Sequence, residues 1–402
     1  MQDNEGQKRV IDAAINAYNS GQKVFQFSGG PGTGKSYTLN RIIDELKIKR
    51  DEVAPMSYIG QAAIIMRLKG FYNAKTIHSW IYTPEKTAKI DKATNKVMYD
   101  DYLGTVIEEL QFKPKPLHGV KLIIIDEAGT VPYSMKYDIE KHGIPIIAAG
   151  DLNQLPPVAD KPAYLYGYND VMILDQIMRQ REGSNILYLA NRALKGLPIQ
   201  RGYYGDAMVI YDDEVTNEML AYSDAILCGT NKIRERLNKL VRQEILGYNS
   251  DLPQYFEKII CRKNDWNIEV DGIGLGNGLT GRVVSPVDVS DYDGTVFHVD
   301  FMPDLFNGVF RNIDVNYEYF TAPIVDKQKV KMKMFNNGIP GHCFDWAYCI
   351  TTHLAQGSEY PNVIYFEERT DPTIQNRLNF TAITRASQKL IYVKKKRQFF
   401  FS

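Results

Sequence analysis

The sequence predicts an α/β protein of more than one domain, built on mainly parallel sheets covered on both faces. Three observations predict it. The 402 residues exceed what one ordinary core takes. Short apolar runs alternate with stretches of helical spacing along most of the chain. Near the start, a strand, a glycine loop and a helix follow one another.

In order along the chain, Val10, Ile11, Ala14, Ile15 and Tyr18 recur at helical spacing from Asn4, and Ser20 with Gly21 ends that run. A strand is expected from Lys23 to Ser28, and after the glycine stretch Leu39, Ile42, Ile43 and Leu46 mark a second helix. Further strands are expected at 122–125, 144–149, 225–228, 346–351 and 362–366, each an apolar run bounded by polar turns. Between Pro84 and Pro116 the composition turns polar, which predicts a small insertion with a hairpin turning near Thr94 and Asn95. Glycines crowd 272–281 and residues 295–301 alternate with period two, the pattern of a small antiparallel β module. The expected division is a first domain at 1–160 with its insertion at 84–116, a second formed by 161–262 and 341–402, and the β module at 263–340.

Composition narrows the function classes. A hydrophobic fraction of 44% and a charged fraction of 24% suit a packed globular chain and set aside collagen-like, coiled-coil and disordered readings. Lys+Arg and Asp+Glu both number 48, so a polyanion would have to be gripped by a local groove and not by bulk attraction. The closing cluster Lys394 to Arg397 reads as solvated surface. The four cysteines form no CxxC pair, and neither a leader-like start nor an apolar run of membrane length is present, so the expected setting is the reducing cytoplasm with no membrane contact.

The segment Gly29, Gly30, Pro31, Gly32, Thr33, Gly34, Lys35, Ser36 fits the phosphate-binding loop and sits between an expected strand and an expected helix. Its glycines let backbone N–H groups curl around phosphate oxygens, Lys35 brings a charge to the β- and γ-phosphates of ATP, and the Ser36 hydroxyl can ligate Mg²⁺. Asp126 and Glu127 end an apolar strand at the sheet edge where ligands bind; Asp126 can hold the metal through water and Glu127 can deprotonate the attacking water. That acid pair favours hydrolysis over transfer to an acceptor. Gln154, in the turn after a third apolar strand, can reach the γ-phosphate or its water. Read as a guanine-specific NKxD motif, Asn231 and Lys232 are followed by Arg234 where the aspartate belongs, so GTP is disfavoured.

The order of these motifs resembles superfamily 1 helicases, within them the branch of RecD and the phage helicase Dda, almost end to end. The resemblance implies two RecA-like motor domains, with an SH3-like β insertion in the second announced by the glycine turn 277–283. It implies that Gln7, in Asn4-Glu-Gly-Gln, reads adenine. Arg179 in the segment 174–180 and Arg385 in 380–386 would reach the γ-phosphate from the second motor domain, Arg385 as arginine finger. The segment 348–359 is similar to the family's coupling motif, by which Thr352 and His353 touch the DNA backbone while Gln356, Gly357 and Glu359 face the nucleotide. Tyr58 and Gln61 lie in a strand-lining segment where Met56 and Ser57 replace the usual residues; Thr76, His78 and Trp80 match a second contact segment; Thr230 and Asn231 would bind phosphates on the second domain. The insertion at 84–116 stands where relatives carry a duplex-splitting hairpin.

The expected activity is thus ATP-driven movement on single-stranded DNA, 5′ to 3′ by likeness alone, with unwinding at duplex junctions by a monomer; single-strand-binding or replication proteins are the partners the likeness allows. Two other readings stay open: an ATPase switch or kinase that gates a protein partner, and a translocase that strips proteins without unwinding.

Overall fold

In the computed structural model, residues 3–88, 90, 97, 108–157, 160–167, 170–176, 184–287 and 294–396 are described. A six-stranded, all-parallel sheet runs in the order Lys75–Thr76, Val53–Ser57, Leu122–Asp126, Ile146–Gly150, Val24–Gly29, Met172–Leu174. Its central strands are continuous apolar runs because both faces are covered. In Leu122–Asp126, Leu122 and Ile124 enter the core beneath the helices Glu5–Asn19 and Lys35–Glu45, whereas Ile123 and Ile125 enter the opposite core with Ile77, Ile81 and Ile139. The strand Met172–Leu174 pairs with Val24–Gly29, so this sheet extends beyond residue 160, where the first domain was expected to end.

A second six-stranded sheet has the order Cys349–Thr351, Ala225–Cys228, Tyr360–Phe366, Ala386–Lys394, Ala207–Tyr211, Gly202–Tyr204, parallel except for its last edge strand. Here Ala225 and Leu227 feed one core and Ile226 and Cys228 the other, the same two-sided alternation. The third sheet is antiparallel, in the order Phe310–Asn316, Val296–Pro303, Thr280–Val283, Lys258–Cys261, Phe344–Trp346, with an outlying pair Asp265–Val270 and Ile273–Leu275. The apolar run expected as one strand over 346–351 is split: Phe344–Trp346 closes this β module and Cys349–Thr351 edges the second parallel sheet. The module also carries two helices absent from the sequence expectation, Tyr317–Thr321 and Lys327–Asn336. The polar insertion forms the antiparallel pair Tyr82–Ala88 and Glu108–Pro114; its expected turn at Thr94 and Asn95 lies outside the described residues.

A buried ion pair ties the module to the second sheet's helix Asn231–Lys239. Arg234 Nη2 donates to Asp345 Oδ2 at 2.9 Å, with Lys327 Nζ 3.7 Å from the other oxygen. Asp345→Ala would leave both cations buried without their counter-charge, and we expect a loss of about 3–5 kcal/mol in unfolding free energy by urea titration. An unchanged midpoint would show that water or another acid takes over the role.

Candidate active site and nucleic-acid interface

The phosphate loop leaves its strand at Gly29 and enters the helix Lys35–Glu45 through Gly32 and Gly34, whose φ values of 79° and 87° a side chain rarely adopts. Lys35 Nζ folds back to donate to Gly29 O at 2.8 Å and Gly30 O at 3.4 Å, and the buried Thr33 hydroxyl donates to Gly30 O at 3.0 Å. A cleft of about 520 Å³ opens over this loop. From the first sheet it gathers Gly30, Gly32, Gly34, Lys35, Ser36, Asp126, Glu127 and Gln154; from the second, Gly357, Ser358, Glu359, Thr384 and Arg385. The two lobes also bond directly beside it: Leu155 N donates to Thr381 Oγ1 at 3.2 Å, and Gln356 Nε2 donates to Leu155 O at 3.1 Å.

Within the cleft, Glu127 sits at φ 53°, a left-handed conformation costly for a residue with a Cβ, directly after the strand that carries Asp126. Desolvation pushes its carboxyl above the ordinary carboxylate value; Asp126 and Asp151 push the same way, whereas Lys35 and Arg385 oppose. Asp126 Oδ1 accepts from Glu127 N–H at 2.9 Å. A serine hydroxyl and a carboxylate in one cleft suit a hard, oxygen-seeking cation such as Mg²⁺ completed by phosphate oxygens and water. Gln154 is buried, its Nε2 3.4 Å from Asp151 Oδ2 and its Oε1 without a protein partner. Arg385 is 4% exposed: Nε donates to Thr381 O, Nη1 to Ser358 O and Nη2 to Thr384 Oγ1 at 2.9–3.1 Å.

Gln7 is not the surface residue its position in a helix suggests. It is 1% exposed, its Oε1 accepts from Asn4 N–H at 3.1 Å in a capping box, and its Nε2 lies 3.4 Å from Thr33 O, so the carboxamide braces the phosphate loop. Arg179 lies outside the described residues. Lys69 and Asn40, which sequence reasoning missed, also line the cleft; Lys69 Nζ donates to Ser36 Oγ at 3.2 Å, and Asn40 Nδ2 donates to Ser36 O and Lys69 O.

A larger groove of about 1330 Å³ crosses the other side of the lobes. Four of the nine expected strand contacts line it: Tyr58, Thr76, His78 and His353. Tyr58, His78, Tyr82 and Phe112 form an aromatic series with centroids 5.7–6.0 Å apart that passes onto the hairpin. Burial lowers the pKa of both His78 and His353, which favours neutral imidazoles.

The other five expected contacts do not line it. Gln61 is buried because the first turn of its helix, Gly60–Leu68, packs under the module's glycine turn; a Cβ on Gly278 would lie 3.3 Å from Gln61 Cβ. Trp80 turns into the core, its Nε1 donating to Pro55 O at 2.8 Å. Thr352 is fully buried, its hydroxyl donating to Cys228 O. Thr230 caps the helix Asn231–Lys239, and the Glu368 carboxylate takes its hydroxyl and the N–H groups of Gly229 and Thr230 at 2.6–3.1 Å, which accounts for the donors a phosphate would use beside Asn231.

In place of these, the groove is lined by Lys75, Lys115, Arg262, Lys263 and Lys331, with Asp265 as the one lining acid among the described residues. Asp265 Oδ2 lies 3.2 Å from His342 Nε2. Trp266, on the module, bonds Ser79 Oγ of the first lobe at 2.8 Å. The basic pair Arg262 and Lys263 followed by Trp266 was the available sequence signal, a basic run interleaved with an aromatic.

Fold and cleft together define a two-lobed P-loop nucleotide-binding protein with RecA-like sheets and an inserted β module. The AAA domain profile matches residues 12–160 and the UvrD-like helicase C-terminal domain profile residues 346–393. In these two segments, one in each lobe, the chain is similar to an ATPase domain and to a helicase C-terminal domain. It is 27% identical over 314 residues to the ATP-dependent DNA helicase Pif1 of Psychrobacter sp., covering 67% of this chain and 45% of that protein, so it spans under half the length of that relative. Its fold is similar to that of Pif1 helicase from Candida albicans, with TM-score 0.57 and 17% identity, covering 98% of this chain and 94% of that one. It is also similar to Pif1 helicase from Bacteroides in complex with ADP-AlF3 and ssDNA, with TM-score 0.55 and 16% identity, covering 98% and 92%.

Proposed function

We propose that this chain is an ATP-dependent DNA helicase that moves along single-stranded DNA, 5′ to 3′, and opens duplex at a junction. One observation carries the reading: a single loop faces both sites. His353, Leu354 and Gln356 line the groove, and Gly357, Ser358 and Glu359 line the nucleotide cleft. A change of phosphate state is therefore felt a few residues from the bound strand.

In this reading Lys35 and Ser36 hold the phosphates and metal with Asp126, Gln154 positions the water, Glu127 deprotonates it, and Arg385, with Arg179, answers the charge that develops on the γ-phosphoryl. Mg²⁺, when bound by Ser36 and Asp126, would supply Lewis acidity. Two motor lobes, with the β module inserted in the second, serve alternating grip. Five cations around the groove explain how a chain with no net charge holds a polyanion.

Lys263→Ala is expected to weaken single-strand binding evenly across sequences and to reduce the slope of log K against log salt by about 1; an unchanged slope would remove Lys263 from the phosphate contacts. The direct test of unwinding and polarity is displacement from 5′-tailed and 3′-tailed duplexes. Product from 5′ tails supports the reading, product from 3′ tails reverses the polarity, and no product with ATPase intact favours a translocase that strips proteins.

A further inference from the structure

Three structural units meet at one buried polar cluster centred on Tyr360, a residue outside every motif. Tyr360 begins the strand Tyr360–Phe366 of the second lobe and is buried. Its hydroxyl faces the Ser358 hydroxyl, the Gln61 carboxamide on the first lobe's helix and the Thr280 hydroxyl on the β module, all three buried. Yet the Tyr360 hydroxyl, Ser358 Oγ, Thr280 Oγ1 and both carboxamide atoms of Gln61 make no well-formed hydrogen bond to protein. Buried polar groups rarely stay unpaired, so a facing set of this kind is one small displacement away from pairing.

The cluster is wired to both sites by main chain. Tyr360 N donates to Arg385 O at 2.8 Å, and Arg385 Nη1 donates to Ser358 O at 3.0 Å, so Tyr360 and Ser358 both follow Arg385 at the cleft. On the far side, Gln61 Oε1 would lie 3.4 Å from a Cβ on Gly278, and Gly278 lines the groove.

We propose that Tyr360 is a positioning residue that couples the two sites: when Arg385 shifts toward the nucleotide, the Tyr360 hydroxyl pairs with Gln61 and Thr280 and resets the glycine turn against the strand. The inference rests on the helicase reading and deepens it. Tyr360→Phe removes one buried hydroxyl that makes no well-formed hydrogen bond and keeps the ring, so its melting temperature should stay close to that of the parent, and ATPase without DNA should stay within about twofold. The increment in ATPase on adding oligo-dT should fall at least about fivefold. The difference in oligo-dT affinity with and without a non-hydrolysable ATP analogue, read by fluorescence anisotropy, should shrink likewise.

Thr280→Val, of similar shape, should reproduce the loss, and the double variant should lose little more than either single one. Full stimulation and an unchanged affinity difference in both variants would overturn the proposal. If the parent itself shows no stimulation by oligo-dT, the helicase reading fails instead.

Discussion

Glu127→Gln is expected to bind ATP and single-stranded DNA within a few-fold of the parent while kcat falls about 10²- to 10⁴-fold. The substitution keeps the shape of the side chain and removes its basicity. Glu127 is placed for the role by a strained turn that holds it beside Asp126, facing Lys35 across the cleft and Arg385 on the other lobe. Since desolvation raises its pKa, the rate should fall with decreasing pH at a point above the ordinary carboxylate range, and the variant should lack that acid limb. The sign for stability is opposite. The unfolded chain ionises this carboxyl more easily, so its contribution to stability falls as pH rises through the same window. Stopped-flow phosphate release with a parallel binding titration measures both quantities, and near-parental turnover would remove Glu127 from the role of base.

Arg385→Ala is expected to lower kcat about 10³- to 10⁵-fold, with less than a tenfold change in nucleotide affinity. A planar fork that is always charged stabilises the transferring phosphoryl more than the bound ground state, and lysine offers no such fork, so Arg385→Lys should recover little. The side chain also knits Ser358, Thr381 and Thr384, so a melting curve must accompany the kinetics. Equal losses of turnover and affinity would make Arg385 a binding residue and no more.

The nucleotide cleft was legible in the sequence because its parts are local: a glycine loop between strand and helix, and acids or a glutamine just after buried strands, each placed by the strand before it. The groove was legible in part. Tyr58, Thr76, His78 and His353 sit in loops or at element starts, where a motif fixes the direction of the side chain. Gln61, Trp80 and Thr352 have the right chemistry, but Gln61 packs under the β module, Trp80 turns toward the core of its own lobe and Thr352 bonds Cys228 O within the second, and a linear pattern carries no record of those neighbours. Lys69, Trp266 and Lys331 were missed for the converse reason. They enter the sites through tertiary placement of a helix end, an outlying hairpin and the helix Lys327–Asn336, which sequence periodicity did not reveal. The split of 346–351 between two sheets has the same origin, since one apolar run serves two cores.

The most direct measurement is the steady-state ATPase rate of the purified chain with and without saturating single-stranded DNA, alongside retention of that DNA on a filter. Cleavage shared between two lobes and linked by one loop to a cationic groove predicts a rate that rises several-fold with the strand, and a strand that is retained. A rate indifferent to DNA, with no strand retained, would contradict the account.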